Sequence, residues 1–275
     1  MTCVVTPDGY ATDTGVLYDT MSITKGAVGL IFLSTPSTHD ILLEPLLPTV
    51  DLTIEDALCH YTGVENDDSF DYDTFMNACE VENTYDYAKQ IFLREYDNKF
   101  KGKQYKYNNI VWRVLVGVFE EISGIQLKNE IRKIPGLQHC DFKSDKSGYM
   151  NGMNGLQLDC EMARSYGLWA RVQLLKNKED LLERPAIEPT NWVTKVPGDL
   201  YNVHPFYGWF ITTLKTNPQK PIAAFSVGFY NQFICVSLNT KDPPVIGVQL
   251  KDPYYEDFGG DDVTGFVERW IKENA

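Results

Sequence analysis

A chain of 275 residues that is 43% hydrophobic and 13% aromatic has enough apolar side chain for a sizeable core, which excludes a disordered tail or linker. With 25 lysines and arginines against 38 acidic residues, its formal charge of -13 opposes nucleic-acid backbones and anionic membrane surfaces and favours a basic protein partner. No apolar run reaches transmembrane length, and the start MTCVVTPDGYATD lacks the positive end and apolar core of a secretory leader, so a cytoplasmic setting is expected.

In chain order, residues 1 to about 50 read as β, with Val16 to Tyr18, Ala27 to Leu33 and Ile41 to Leu43 as strands. Asp51 or Thr53 then caps a helix through Tyr61, with Glu55 and Asp56 in its first turn, and Gly63 ends it. Asp71 to Arg94 supports one or two helices. The basic stretch Asp97 to Asn109 reads as a surface connection and as the boundary between two units, 1–100 and 105–275. Ile110 to Ile122, apolar until Glu120, is expected to be a buried helix stopped at Gly124, with a strand as the competing reading. A short amphipathic helix over 125–137 ends at Pro135-Gly136. Gly155 to Leu182 holds Leu156 and Leu158, then helix, and a last short helix over Asn177 to Leu182.

The clearest pattern lies between Pro221 and Leu250. FICVSL at Phe233 to Leu238 and VIGVQL at Val245 to Leu250 are β-rich arms around a Pro-bearing turn, and Ile222 to Val227 is a third run. They predict an antiparallel meander. Val263, Phe266, Val267, Trp270 and Ile271 then recur at helical spacing, so a terminal helix is expected to pack across the sheet.

Chemistry is harder to find. No phosphate-binding glycine loop occurs, so no nucleotide cofactor is expected. Cys59-His60, His139-Cys140, Cys160 and His204 lack the spacing of a zinc site, so no metal is expected either. The six cysteines, at 3, 59, 79, 140, 160 and 235, are widely scattered and read as free thiols of a reducing compartment. One of them, Cys160, together with His204, is the candidate nucleophile and base of a papain-like cysteine hydrolase. Its setting Asp-Cys-Glu argues against it, because acidic neighbours raise a thiol's pKa. The favoured site is electrostatic: Asp252, Glu256, Asp257, Asp261 and Asp262 surround Tyr254 and Tyr255, a composition suited to docking a basic protein.

The order Ile222 to Phe225, Gly228 to Leu238, Val245 to Val248 and a closing helix with Phe266 and Trp270 resembles the C-terminal half of SUKH domains. That family includes a fungal regulator of cell-wall synthesis, bacterial toxin-immunity proteins and viral relatives. Upstream, Glu120 to Ile131 and Gly155 to Leu158 are similar to the family's preceding elements, although Lys128 stands where a proline is expected and Ser237 where an acidic residue is common. The resemblance covers residues 105 to 272. It implies an α+β domain in which an antiparallel or mixed sheet is wrapped by helices, with a separate α+β region before it, and a non-enzymatic, immunity-like or regulatory binding role.

Overall fold

The computed structural model describes residues 2–5, 15–35, 50–64, 84–100, 102–145, 148–152, 154–187, 200–228, 232–239, 244–251 and 270–273. Among the described residues nine strands are distributed over two sheets. The large sheet is antiparallel with order β1-β9-β8-β7-β6-β5, built from Thr2–Val5 (β1), Tyr201–Phe206 (β5), Trp209–Leu214 (β6), Asn217–Val227 (β7), Phe233–Ser237 (β8) and Ile246–Lys251 (β9). A small sheet, β2-β4-β3, joins Tyr18–Asp19 (β2), Asp141–Phe142 (β3) and Leu156–Leu158 (β4). Six helices accompany them among the described residues that form named elements: α1 Ile23–Ser34, α2 Ile54–Leu58, α3 Thr84–Lys99, α4 Ile110–Ser123, α5 Leu127–Arg132 and α6 Cys160–Lys176.

The meander read from the sequence forms as the alternation requires. Phe225 faces Cys235 across β7 and β8, and Phe233 faces Gln249 across β8 and β9. Because successive side chains alternate between faces, Phe233 and Cys235 join Phe225 and Phe210 in one apolar cluster, while Ile234 and Val236 join the main core on the other. Of the expected terminal helix, residues 263–269 lie outside the described residues. Trp270 and Ile271 are helical and buried on the Phe233 side.

Two helices follow directly from local chemistry. Thr53 accepts the Asp56 N–H at 3.0 Å while the Asp56 carboxylate accepts the Thr53 N–H at 3.0 Å, a reciprocal cap that starts α2. Helix α4 ends where Gly124 turns left-handed at φ 68, which only glycine adopts without cost.

Helix α1 corrects the sequence reading, which places a strand over Ala27 to Leu33. All residues from Ile23 to Phe32 are buried, Thr24 and Lys25 included, so the element has no exposed face and shows no amphipathic stripe to separate helix from strand. It packs on α5, α6, β6 and β7 and is central to the main core. Strand β1 pairs with β9 and α2 packs on α4, so elements from before residue 100 are joined to elements from after it.

Glycine lets α1 sit this close. A β-carbon at Gly29 would fall inside the backbone carbonyl of Tyr207, in the turn between β5 and β6. Gly29→Ala is therefore expected to cost upwards of about 3 kcal/mol, read as a loss of thermal stability or of soluble protein.

Candidate active site

The first turn of α1 is fastened to the small sheet. Thr20 donates to the Leu156 carbonyl through its backbone N–H at 3.0 Å and through its hydroxyl at 2.8 Å, and the Leu156 N–H donates to Thr24 Oγ1 at 3.1 Å. Between these anchors Met21 is held at φ 51, a conformation that costs a non-glycine residue on the order of 1 kcal/mol and is kept only where its surroundings enforce it. Ser22 follows as the N-cap residue but makes no capping bond, so its hydroxyl has other partners.

Those partners are Lys25 and Tyr107. Lys25 Nζ donates to Ser22 Oγ at 2.6 Å, and the Tyr107 hydroxyl donates to the same oxygen at 3.1 Å. Ser22 and Lys25 are three residues apart, one turn of helix, so both side chains leave the same face. Among the described residues the Ser22 backbone N–H makes no hydrogen bond; it stands at the positive end of α1 and can donate to a developing oxyanion. Opposite, Trp209 Nε1 donates to the Gly26 carbonyl at 3.3 Å, and the end of β7 comes close enough that a β-carbon at Gly26 would lie 3.0 Å from Ser226 Oγ.

Tyr107 belongs to the lysine-rich stretch that reads as a surface connection in the sequence, and the structure corrects that reading. The Lys106 N–H donates to the His60 carbonyl at 2.8 Å, Gly63 N–H to the Gln104 carbonyl at 3.0 Å, and Asn108 Nδ2 to the Val64 carbonyl at 3.0 Å. Asn108, 1% exposed, also caps α4 by accepting the Val111 N–H at 3.0 Å. Lys103 faces outward and pairs with Asp56 at 2.9 Å, while the tyrosines turn inward. Alternating lysine and tyrosine thus reflects a segment with one wet and one buried side.

Lys25 is 2% exposed, and its burial lowers the ammonium from 10.5 to about 7. At neutral pH a large share of it is the free amine, whose lone pair can take the Ser22 proton over the existing 2.6 Å contact. The Tyr107 hydroxyl, beside the same serine oxygen, is placed to give a proton to a group leaving the attacked carbon. Tyr107→Phe keeps the ring and removes that proton, and is expected to lower kcat by roughly 10²-fold or more with little loss of stability, measured by steady-state kinetics and thermal unfolding.

The residues singled out from the sequence lie elsewhere. Cys160 begins α6 in the core and is disulfide-bonded, so it offers no thiol; this also corrects the expectation that all six cysteines are free. His204 is in β5, with Nδ1 at 2.9 Å from the Arg184 carbonyl. Cys59, Cys140 and Cys235 are free but buried, and burial raises the first two thiols to about 12 and about 11 and the third further, the reverse of what a nucleophile needs. Asp252, Tyr254, Tyr255, Glu256, Asp257, Asp261 and Asp262 are outside the described residues. Among the described residues no group of three or more His, Cys, Asp or Glu could hold a metal ion, and no helix is long and apolar enough to cross a membrane.

The fold is that of β-lactamases and penicillin-binding proteins. A candidate beta-lactamase from Bacteroides dorei DSM 17855 superimposes with a TM-score of 0.65 at 12% identity over 93% of this chain and 86% of its own. A penicillin binding protein from Bacillus halodurans gives 0.61 at 13% identity over 99% and 95%, and a D-stereospecific amidohydrolase from a Streptomyces species gives 0.61 at 11% over 97% and 92%. No protein-family model matches the chain, and no curated protein matches it in sequence. These likenesses overturn the SUKH resemblance and the α+β architecture drawn from it, and the neighbours' hydrolytic activities count against the non-enzymatic, immunity-like or regulatory reading. The Cys160 and His204 alternative gains nothing from them.

The signal in the sequence was Ser22-Ile23-Thr24-Lys25. Ser-x-x-Lys is the nucleophile motif of serine β-lactamases and penicillin-binding proteins.

Proposed function

We propose that this protein is a serine hydrolase that transfers acyl groups through a covalent intermediate on Ser22. The observation that carries the reading is the convergence of Lys25 Nζ and the Tyr107 hydroxyl on one serine oxygen, at 2.6 and 3.1 Å. In the first half-reaction Oγ attacks the substrate carbonyl as its proton passes to Lys25, and the oxyanion is met by the Ser22 N–H. Collapse breaks the bond to the leaving group, which departs with a proton from Tyr107, and the proton on Lys25 restores the phenol. Water then attacks the acyl-enzyme with the same groups acting in reverse, which releases the acid and regenerates Ser22.

The Ser-Asp-Asn and Lys-Thr-Gly triplets that accompany Ser-x-x-Lys in penicillin-targeted enzymes do not occur in this sequence. Simple esters and amides are accordingly the first substrates to try, and β-lactams the comparison. The cytoplasmic setting expected from the sequence is opposed by the disulfide at Cys160, since disulfides persist mainly in oxidising compartments. Hydrolysis of p-nitrophenyl acetate and butyrate, a chromogenic amide and nitrocefin, each followed from pH 6 to 9, tests the proposal. Turnover of at least one, rising as pH passes through about 7, is expected from the Lys25 ionisation. Failure on all four substrates would refute it.

A further inference from the structure

Helix α2 ends at Leu58 with Cys59 as its C-cap, and the next residue, His60, is left-handed at φ 59, a conformation in which asparagine or glycine would be cheaper. The residue is 2% exposed. Its own N–H closes the end of α2 on the Ala57 carbonyl at 3.1 Å, and its carbonyl and ring turn to the segment that carries Tyr107 and to the helix that segment starts. Its carbonyl accepts the Lys106 N–H at 2.8 Å, its Nδ1 accepts the Asn108 N–H at 3.1 Å, and its Nε2 faces the Trp112 Nε1–H at 3.3 Å. Between positions 106 and 108, the Tyr107 ring lies on the imidazole at 4.4 Å between centroids and 22° between planes.

We propose, resting on the hydrolase reading above, that His60 is a positioning residue of the active site: it fixes the Tyr107 phenol over Ser22 with a stacked ring whose two nitrogens both face N–H donors.

A buried histidine is in itself an ordinary core feature. What separates this one is that its stacked partner is the phenol bonded to Ser22. The ring is also set against charge, since both nitrogens face N–H donors and an imidazolium would have no acceptor for its second proton. The titratable groups around it are Lys25 from α1, Tyr105 and Tyr107 from the preceding segment, and its chain neighbours Cys59 and Tyr61; Trp112 of α4 supplies only a donor. Of these only Lys25 carries positive charge. Burial first, and Lys25 second, hold the imidazole's pKa well below its ordinary 6.5, so the ring is neutral wherever Lys25 can act as a base.

His60→Asn tests this. Asparagine tolerates the left-handed backbone and can still accept the Asn108 N–H, but it has no ring to stack on Tyr107. The expected result is a kcat lower by about 10- to 100-fold, with KM within roughly threefold of wild type. Lys25 Nζ lies 5.3 Å from the centroid of the Tyr107 ring, so a loosened phenol admits water to the ammonium and should move the acid limb of the pH–rate profile upward by about one unit or more. A folded variant with kcat within twofold of wild type and an unmoved limb would overturn the proposal. Should the variant not fold, nitrogen NMR of the wild-type imidazoles decides: His60 is expected to stay neutral from pH 5.5 to 8, and a titration midpoint inside that range contradicts it. If wild type shows no turnover, the hydrolase reading is what has failed, and the NMR result still stands for or against the neutral ring.

Discussion

Replacement of Ser22 by alanine is expected to lower kcat/KM for an activated ester by at least about 10³-fold while leaving the fold intact. The loss is large because Oγ is the atom that forms the covalent bond, and no other described group can replace it at the meeting point of Lys25 and Tyr107. The structural cost is small. Ser22 is half-buried and caps nothing, so the change removes two hydrogen bonds whose donors remain near one another, worth about 1 kcal/mol net. Activity measured beside thermal unfolding separates the two effects. A variant that keeps more than a tenth of the wild-type rate would show that Ser22 is not the nucleophile.

Lys25→Met is expected to abolish activity to a similar extent and, unlike Ser22→Ala, to make the protein more stable. A buried ammonium is costly, and the lysine titrates at about 7 in the folded chain against 10.5 for the free side chain. Between those values the unfolded chain binds more protons, so the wild type gains stability as pH rises from 7 to about 10.5, and below 7 it bears the full cost of the buried charge. Methionine removes that cost. The stabilisation should therefore be largest at pH 6, on the order of 2 kcal/mol or a few degrees in Tm, and should fade by pH 10. An unchanged or lower Tm at pH 6 would mean that Lys25 is less desolvated than its burial implies. Such an outcome would weaken its role as a base at neutral pH.

Much of the fold was legible from local patterns and little of the site was. The meander of β7, β8 and β9 follows from alternation around a Pro-bearing turn, α4 from a long apolar run closed by Gly124, and α2 from the Thr53 and Asp56 cap. The same meander with a closing helix invites assignment to more than one fold, which is how it came to resemble a SUKH domain. Helix α1 was illegible because it is buried on every side, so its β-branched and apolar residues carry no periodicity. With α1 read as a strand, Ser22 and Lys25 no longer share a helical face and the one-turn spacing loses its meaning. Tyr107 was hidden for a different reason: its neighbours Lys103 and Lys106 give the segment a solvated look, and only tertiary contacts with His60 and Val64 reveal its buried side. Cys160, whose sulfur is committed to a disulfide, stands out in the sequence because cysteine is a conspicuous nucleophile by residue type and serine is not.

The most direct measurement is intact-protein mass spectrometry after incubation with a fluorophosphonate, followed by peptide mapping of the product. A single phosphonyl adduct is expected on the peptide containing Ser22, forming faster at pH 8 than at pH 6 and absent from Ser22→Ala. No adduct on the folded wild-type protein, or an adduct on any other residue that persists in Ser22→Ala, would contradict the account.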